Sequence, residues 1–394
     1  MKLRLGLMYF CMFSFIGIHM PFWPVWLNSK GISPSGIATL TALAFALKIV
    51  FTPVVSGIVD RNGRKREAII LLAFGLLAGC VMFTQTDRFV TIFLLTTFAF
   101  ACWSPIMSLC ESIATMQARA HGLDYGKIRL WGSVGFMLVV VAAGKVMNMF
   151  GGGSLLWFIV GAAAMVFVAA CLLPRERVVV ERAGKVSSAP FFASKWFVLF
   201  LASTLLIQGS HAAYYTFGSL YWQQQGLSDS MIGVLWGWSL AVEIAFFAFG
   251  RSLVSRLGPV NVIVLGGLAA ALRWTCIGMS ANVPLLMAAQ VLQALTFGAS
   301  HMAAMKIITE RVHPSLSASG QGLYSAFIMG IGMGAFVLLS GPLYSALKGA
   351  VFLTMALVAL LGTAGALWVR KLPLTTVRPV ELPVVPAGVM PAVK

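Results

Sequence analysis

GISPSGIATLTALAFALKIVFTPVVSGIVDRNGRKR, residues 31–66, opens on a turn, runs apolar for more than twenty residues and closes on a glycine-bounded cluster of basic residues. An apolar run of that length suits a helix crossing a bilayer, and the cationic cluster at its end suits the cytoplasmic face. GLSDSMIGVLWGWSLAVEIAFFAFGRSLVSRLGP, residues 226–259, repeats the design 195 positions later. The shift pairs Gly31 with Gly226, Ser33 with Ser228, Ile37 with Ile232, Ile49 with Ile244, Arg61 with Arg256 and Gly63 with Gly258, without a gap. An even number of spans between equivalents gives two halves of the same orientation.

The rest of the chain fits that plan. Of its 394 residues 59% are hydrophobic and 10% charged, too little polar surface to coat a water-soluble globule. Spans are expected near 4–27, 36–58, 68–86, 90–117, 127–149, 154–173, 193–221, 230–254, 260–280, 283–306, 319–345 and 348–369. The first of these is too long for a signal peptide and lacks a small-residue cleavage site. The predicted architecture is an all-α polytopic membrane protein with about twelve transmembrane helices: a six-helix half over 1–173, a cytoplasmic linker over 174–192, a second six-helix half over 193–370, and a disordered, proline-rich cytoplasmic tail over 371–394.

The net charge of +17 would suit a nucleic-acid partner if the cations formed one surface. Instead Arg61, Arg64, Lys65 and Arg66, then Arg119, Lys127 and Arg129, then Arg175, Arg177, Arg182, Lys185 and Lys195 fall in every second connection. That asymmetry predicts a bacterial inner membrane with both termini cytoplasmic, and no nucleic acid as partner. All six cysteines lie in apolar segments without metal-ligand spacing, so no metal and no cofactor is expected. No nucleophile with a spaced base or phosphate-binding glycine loop suggests an enzyme, and no soluble output segment suggests a sensor.

GIVDRNGRKR, Gly57 to Arg66, resembles the major facilitator signature between helices two and three. The resemblance implies a conformational latch of Gly57, Asp60, Arg61, Gly63 and Arg64; a plain topology anchor is the other reading of the cations. LDYGKIRLWGSVGF (123–136), QGSHAAYY (208–215), residues 235–243, Arg273 with Trp274, and HMAAMK (301–306) are similar to the phenylpropionate permease family, and more distantly to lactose and nucleoside proton symporters. Those relatives imply secondary active transport in which a proton gradient drives uptake of a small aromatic carboxylate such as 3-phenylpropionate, by a monomer. A sugar or nucleoside proton symporter is the alternative.

Ionisable side chains inside spans are costly and mark candidate sites, about 2.5–3.5 kcal/mol each at a helix centre. Lys48 and Glu243 are 195 apart, as are Glu111 and Lys306, each pair of opposite sign. We take Lys48 and Lys306 as cavity charges on the axis relating the halves. Glu111 and Arg129 keep the spacing of the substrate-contacting pair of the lactose permeases, which implies substrate binding; an interfacial anchor is the second reading of Arg129. The same resemblance implies substrate contact and proton coupling for Glu243. The tenth-span His and Glu that couple protons in those relatives align with Gln293 and Thr296, so His301 becomes the nearest titrating candidate, with simple packing as its other reading. Arg273 and Tyr214 complete the candidate substrate site, as cation and ring wall.

Overall fold

A computed structural model describes residues 1–174 and 189–378, apart from the Arg251 side chain. Six helices form the first half: α1 (Lys2–Ser29), α2 (Pro34–Asn62), α3 (Lys65–Met82), α4 (Phe89–Ala120), α5 (Tyr125–Phe150) and α6 (Ser154–Cys171). The second half holds α7 (Lys195–Gln224), α8 (Asp229–Phe249), α9 (Pro259–Met279), α10 (Val283–Arg311), α11 and α12 (Val351–Val369), where α11 runs through Pro314–Ser325, Ala326–Gly332 and Met333–Leu347. Among the described residues eleven stretches are long and apolar enough to cross a membrane. The last, Pro314–Val369, is two candidate crossings joined by a tight turn at Lys348–Ala350, with Lys348 at φ +51°, which makes twelve among the described residues.

The repeat governs local structure. Ser33 caps α2 by accepting from the Gly36 N–H at 3.2 Å, and its counterpart Ser228 caps α8 by accepting from Met231 at 3.3 Å. Gly31 and Gly226 both sit at positive φ before these caps, as do Gly63 and Gly258 after the basic stretches. These left-handed turns are open only to glycine at low cost.

Large apolar side chains such as Leu71, Phe74, Val81, Trp157, Leu357 and Leu361 point outward, and the chain is a multi-pass membrane protein. Within the halves α5 and α6 pack on α1, α7 and α9 on α12, and α10 on α9. Between the halves α8 lies on α5, α11 on α2, and the second part of α7 on α1. The close approaches of Gly144 and Gly233 between α5 and α8, and of Gly341 to Pro34–Ala38 between α11 and α2, lie at the end remote from the basic connections. There the apolar core is continuous across both halves, whereas at the basic end the second half has a separate core around Phe191, Phe197, Phe200 and Ile308. The halves are therefore closed at one end and parted at the basic end.

Three helices are irregular at mid-depth. Helix α7 breaks at Ser210–His211, and wide π turns occupy Ala294–Ala299 of α10 and Ala326–Gly332 of α11. The α10 turn leaves the Thr296 carbonyl free to accept from Gln208 Nε2 of α7 at 3.1 Å.

The predicted tail needs correction over 371–378. Val377 is 4% exposed and forms a parallel bridge with Val312, while Trp196 Nε1 donates to the Thr375 carbonyl at 2.8 Å and Arg311 to that of Leu374 at 3.3 Å. The prolines suggested disorder, but Val377 has an apolar recess to enter and the backbone has partners. Residues 379–394 of the tail, and 175–188 of the predicted linker, lie outside the described residues.

Candidate functional site

The polar side chains form two clusters, one in each half. In the first half, α4 carries Glu111, whose carboxylate accepts from the hydroxyls of Tyr9 on α1 and Tyr125 on α5. Arg129, one turn beyond Tyr125, lies 3.8 Å from the same carboxylate, with its guanidinium 4.8 Å from the Phe13 ring and 5.6 Å from that of Tyr9. Asp124 starts α5 by accepting from the Lys127 N–H at 3.2 Å, which fixes the first turn that presents both Tyr125 and Arg129. That backbone bond, with the Lys127 charge, holds the exposed Asp124 carboxyl below the usual carboxylate range. Arg129 shares a helical row with Ser133, Phe136, Val140 and Gly144. At the closed end this row packs on α8, so at the basic end Arg129, 42% exposed, borders the opening.

The cluster of the second half is buried. Arg273 of α9 is fully enclosed, held between the rings of Tyr214 at 4.7 Å and Trp274 at 4.8 Å. Its Nη2 and Nε donate to Gln290 Oε1 at 2.6 and 3.2 Å, and its Nη1 donates to Gln293 Oε1. Gln290 in turn donates to the Tyr214 hydroxyl at 2.8 Å. Gln293 Nε2 donates to the Glu243 carboxylate at 2.9 Å. Tyr214 stacks on Trp236 at 4.5 Å, and His211 reaches the Thr296 hydroxyl at 3.2 Å. A buried guanidinium and a carboxylate are thus joined through an amide, every step a hydrogen bond.

Of the predicted site residues, the structure unites Glu111 with Arg129, and Tyr214 with Arg273 and, through Gln293, Glu243. No hydrogen bond or ion pair joins the two sets among the described residues. Lys48 is exposed on the α2 stripe of Ala38 and Phe45, which meets Gly341 and Gly334 of α11 further along, so it too borders the opening. Lys306 pairs with Glu310 of its own helix at 3.8 Å. His301 stacks on Phe297 at 6.1 Å and lies 5.9 Å from the Tyr324 ring, outside both clusters. In the signature, Asp60 pairs at 3.1 Å with the buried Lys65, which also donates to Ser112 at 2.6 Å. Arg66 donates to the Cys171 and Leu173 carbonyls, tying α3 to the end of α6. Gly63 ends α2 in the left-handed conformation, Gly57 lies within its last turns, and Arg61 and Arg64 are exposed at the open end.

Sequence reasoning passed over Tyr9, Tyr125 and Gln290 and took Gln293 only as a departure from a relative. A signal was present: two amides three residues apart in a membrane span need partners as much as charges do.

The MFS_1 like family model matches residues 2–355. The "Probable 3-phenylpropionic acid transporter" of Escherichia coli (strain K12) is 32% identical over 363 residues, 90% of this chain and 94% of that protein. The maltose permease of Geobacillus stearothermophilus is 25% identical over 93% of each chain. Among solved structures, the nucleoside transporter NupG superposes with a TM-score of 0.83 at 17% identity, over 94% of this chain and 99% of that one. A bacterial homologue of the human lysosomal transporter Spinster, in an inward-facing and unoccupied conformation, gives 0.75 at 14% identity, over 94% and 96%. With twelve candidate crossings among the described residues and two matching halves, each holding a polar cluster, the chain belongs to the MFS_1 like family and is a major facilitator membrane transporter of a small-molecule substrate, not an enzyme.

Proposed function

We propose that this transporter carries a small aromatic carboxylate, of the size and chemistry of 3-phenylpropionate, inward together with a proton. The observation that carries the reading is the state of Arg129. Its neighbour Glu111 already accepts two phenol hydroxyls and lies 3.8 Å away, so most of the five guanidinium donors remain open to a second carboxylate. Phe13 and Tyr9 hold the cation flat and offer an apolar wall to a ring. Lys48, exposed on α2, adds a second cation.

Glu243 is the proposed proton carrier, with His301 as the other titrating candidate. It is 9% exposed and its carboxylate is bonded to an amide and, among the described residues, to no cation directly, so taking up a proton breaks no direct ion pair. Proton and anion would cross as a neutral pair, which spares the low-dielectric path a net charge. Basic connections at the parted end support a cytoplasmic, inward-open orientation in a bacterial inner membrane, with both termini cytoplasmic and no cofactor beyond the proton gradient. Alternating access then requires that end to close. Asp60, Arg61 and Arg64, on its rim, are the proposed latch, and one chain holds the whole site, so a monomer suffices.

The name of the maltose permease and that of NupG support a second reading, sugar or nucleoside symport, with Glu111 and Glu243 as hydroxyl acceptors. Glu111 has about half of its acceptor positions taken by the two phenol hydroxyls, whereas the donors of Arg129 are open, which favours the acid. The test is uptake of labelled 3-phenylpropionate into proteoliposomes under an inward proton gradient, with Glu243→Gln and Arg129→Ala alongside and unlabelled sugars and nucleosides as competitors. Gradient-driven accumulation lost in both variants supports the proposal. No uptake above empty liposomes by folded protein, or competition by a sugar or nucleoside, sinks the acid assignment.

A further inference from the structure

The two edges of the Arg273 guanidinium are held differently. One edge, Nε and Nη2, is committed to Gln290, which is itself fixed by the Tyr214 hydroxyl and the Leu235 carbonyl at 3.2 Å. The other, Nη1, meets Gln293 and, at 3.4 Å, Thr296. Exposure falls from 9% at Glu243 and 7% at Gln293 to none at Arg273, so the acid and the amide form the layer in front of the cation. A carboxylate only accepts and a guanidinium only donates. An amide between them is satisfied in one orientation, which the two charges dictate: oxygen to Arg273, nitrogen to Glu243.

From this we infer that Gln293 is a proton-operated cover on Arg273. With Glu243 ionised, its charge-assisted bond holds the amide across Nη1. Protonation removes the charge assistance from that bond and, with the proton on Oε2, turns the oxygen that faces the amide into a donor that the amide oxygen can accept. An amide that turns to accept it brings its NH2 against the donors of Arg273, and the contact parts. The guanidinium, still clamped by Gln290, Tyr214 and Trp274, then presents Nη1 to an anion. The inference rests on the proposed proton and anion symport and gives it an order: proton first, carboxylate second. The other titratable or charged groups facing Glu243 are Arg273 of α9 and Tyr215 of α7, with Tyr214 behind; α10 brings the uncharged Gln293 and Gly298, and α5 meets α8 through the uncharged Val140, Val141 and Gly144.

Labelling by phenylglyoxal at one fixed pH, quantified for the Arg273 peptide by mass spectrometry, reads the cover without any substrate. Arg129, already accessible, is the internal reference. Glu243→Gln fixes the acid in a neutral form and Gln293→Met removes the amide at similar length. Arg273 is expected to react at least about tenfold faster in each folded variant than in the parent chain, the value of one lost charge-assisted bond. Equal rates overturn the inference. A second readout is equilibrium binding of labelled 3-phenylpropionate against pH. Affinity in the parent chain should fall as pH rises, and Gln293→Met should flatten that slope; an unchanged slope counts against the cover. A parent chain that binds no acid at any pH sinks the substrate reading instead, while the labelling rates still decide the role of Gln293.

Discussion

Substituting Gly233 by alanine should drive the transporter out of the conformation described above. Gly233 of α8 lies against the backbone of α5 at the closed end. A Cβ there would stand 2.6 Å from the Val140 carbonyl oxygen, 3.3 Å from the Val141 Cα and 3.4 Å from the Val140 carbonyl carbon. These are backbone atoms that cannot rotate aside, so the helices must separate. Overpacking of this kind costs about 1–3 kcal/mol. Under the proposed alternating access the α5–α8 contact breaks when the closed end opens, so the penalty falls on one state only. The equilibrium should therefore move by roughly 5- to 150-fold toward the state open at that end. Spin labels on cysteines at Gly152 and Gln225, exposed positions on either side of the seam, report it by pulsed dipolar spectroscopy on a background lacking the native cysteines. A longer-distance population should rise in Gly233→Ala. An unchanged distribution from folded protein refutes the argument that this contact holds the end shut.

Three further outcomes follow from the same geometry. Tyr125→Phe removes one of the hydroxyls donating to Glu111, freeing that carboxylate to claim Arg129, and should weaken aromatic-acid binding roughly three- to tenfold; an unchanged or tighter constant contradicts the competition. Asp60→Asn leaves the buried Lys65 ammonium with only neutral oxygens beside it, its counter-charge gone, and should cost about 1–3 kcal/mol, seen as a lower melting temperature in detergent. The folded Asp124 carboxyl titrates below its unfolded value, so its contribution is present above the unfolded pKa of about 4 and fades as pH falls through the folded one. The melting difference between the parent chain and Asp124→Ala should accordingly be full at neutral pH and shrink in acid.

The two-half plan was legible because it is written in position-independent chemistry. Apolar length fixes a span, a serine before it fixes the cap, and a glycine at positive φ fixes the turn, as Ser33 and Ser228 or Gly63 and Gly258 illustrate. The pairing of Glu111 with Arg129 was available through family resemblance. What hid was helical phase. The ungapped 195-residue shift equates Lys306 with Glu111, yet α10 contains a π turn at Ala294–Ala299 where α4 has none. One extra residue in a turn rotates all that follows by about 100°, and Lys306 pairs along its own helix instead of joining a cluster. Partner choice was likewise invisible. Glu243 invited a cation such as Arg129 or Lys48, but the buried neighbour is an amide, because Gln293 arrives from α10 at the depth where Arg273 arrives from α9. Only tertiary packing decides which polar groups share a layer.

The strap after α12 bears on how this molecule can move and be handled. Residues 374–377 bind at once to Trp196 at the foot of α7 and to Arg311, Val312 and His313 between α10 and α11. A chain end that laces three helix feet together acts as a hoop. When the basic end narrows, these feet must swing as one piece, and the movement has to be taken up at the seam with the other half or at the wide turns above. A purification handle or fluorescent reporter joined before Val377 would cut the hoop and report on a looser machine than the native one.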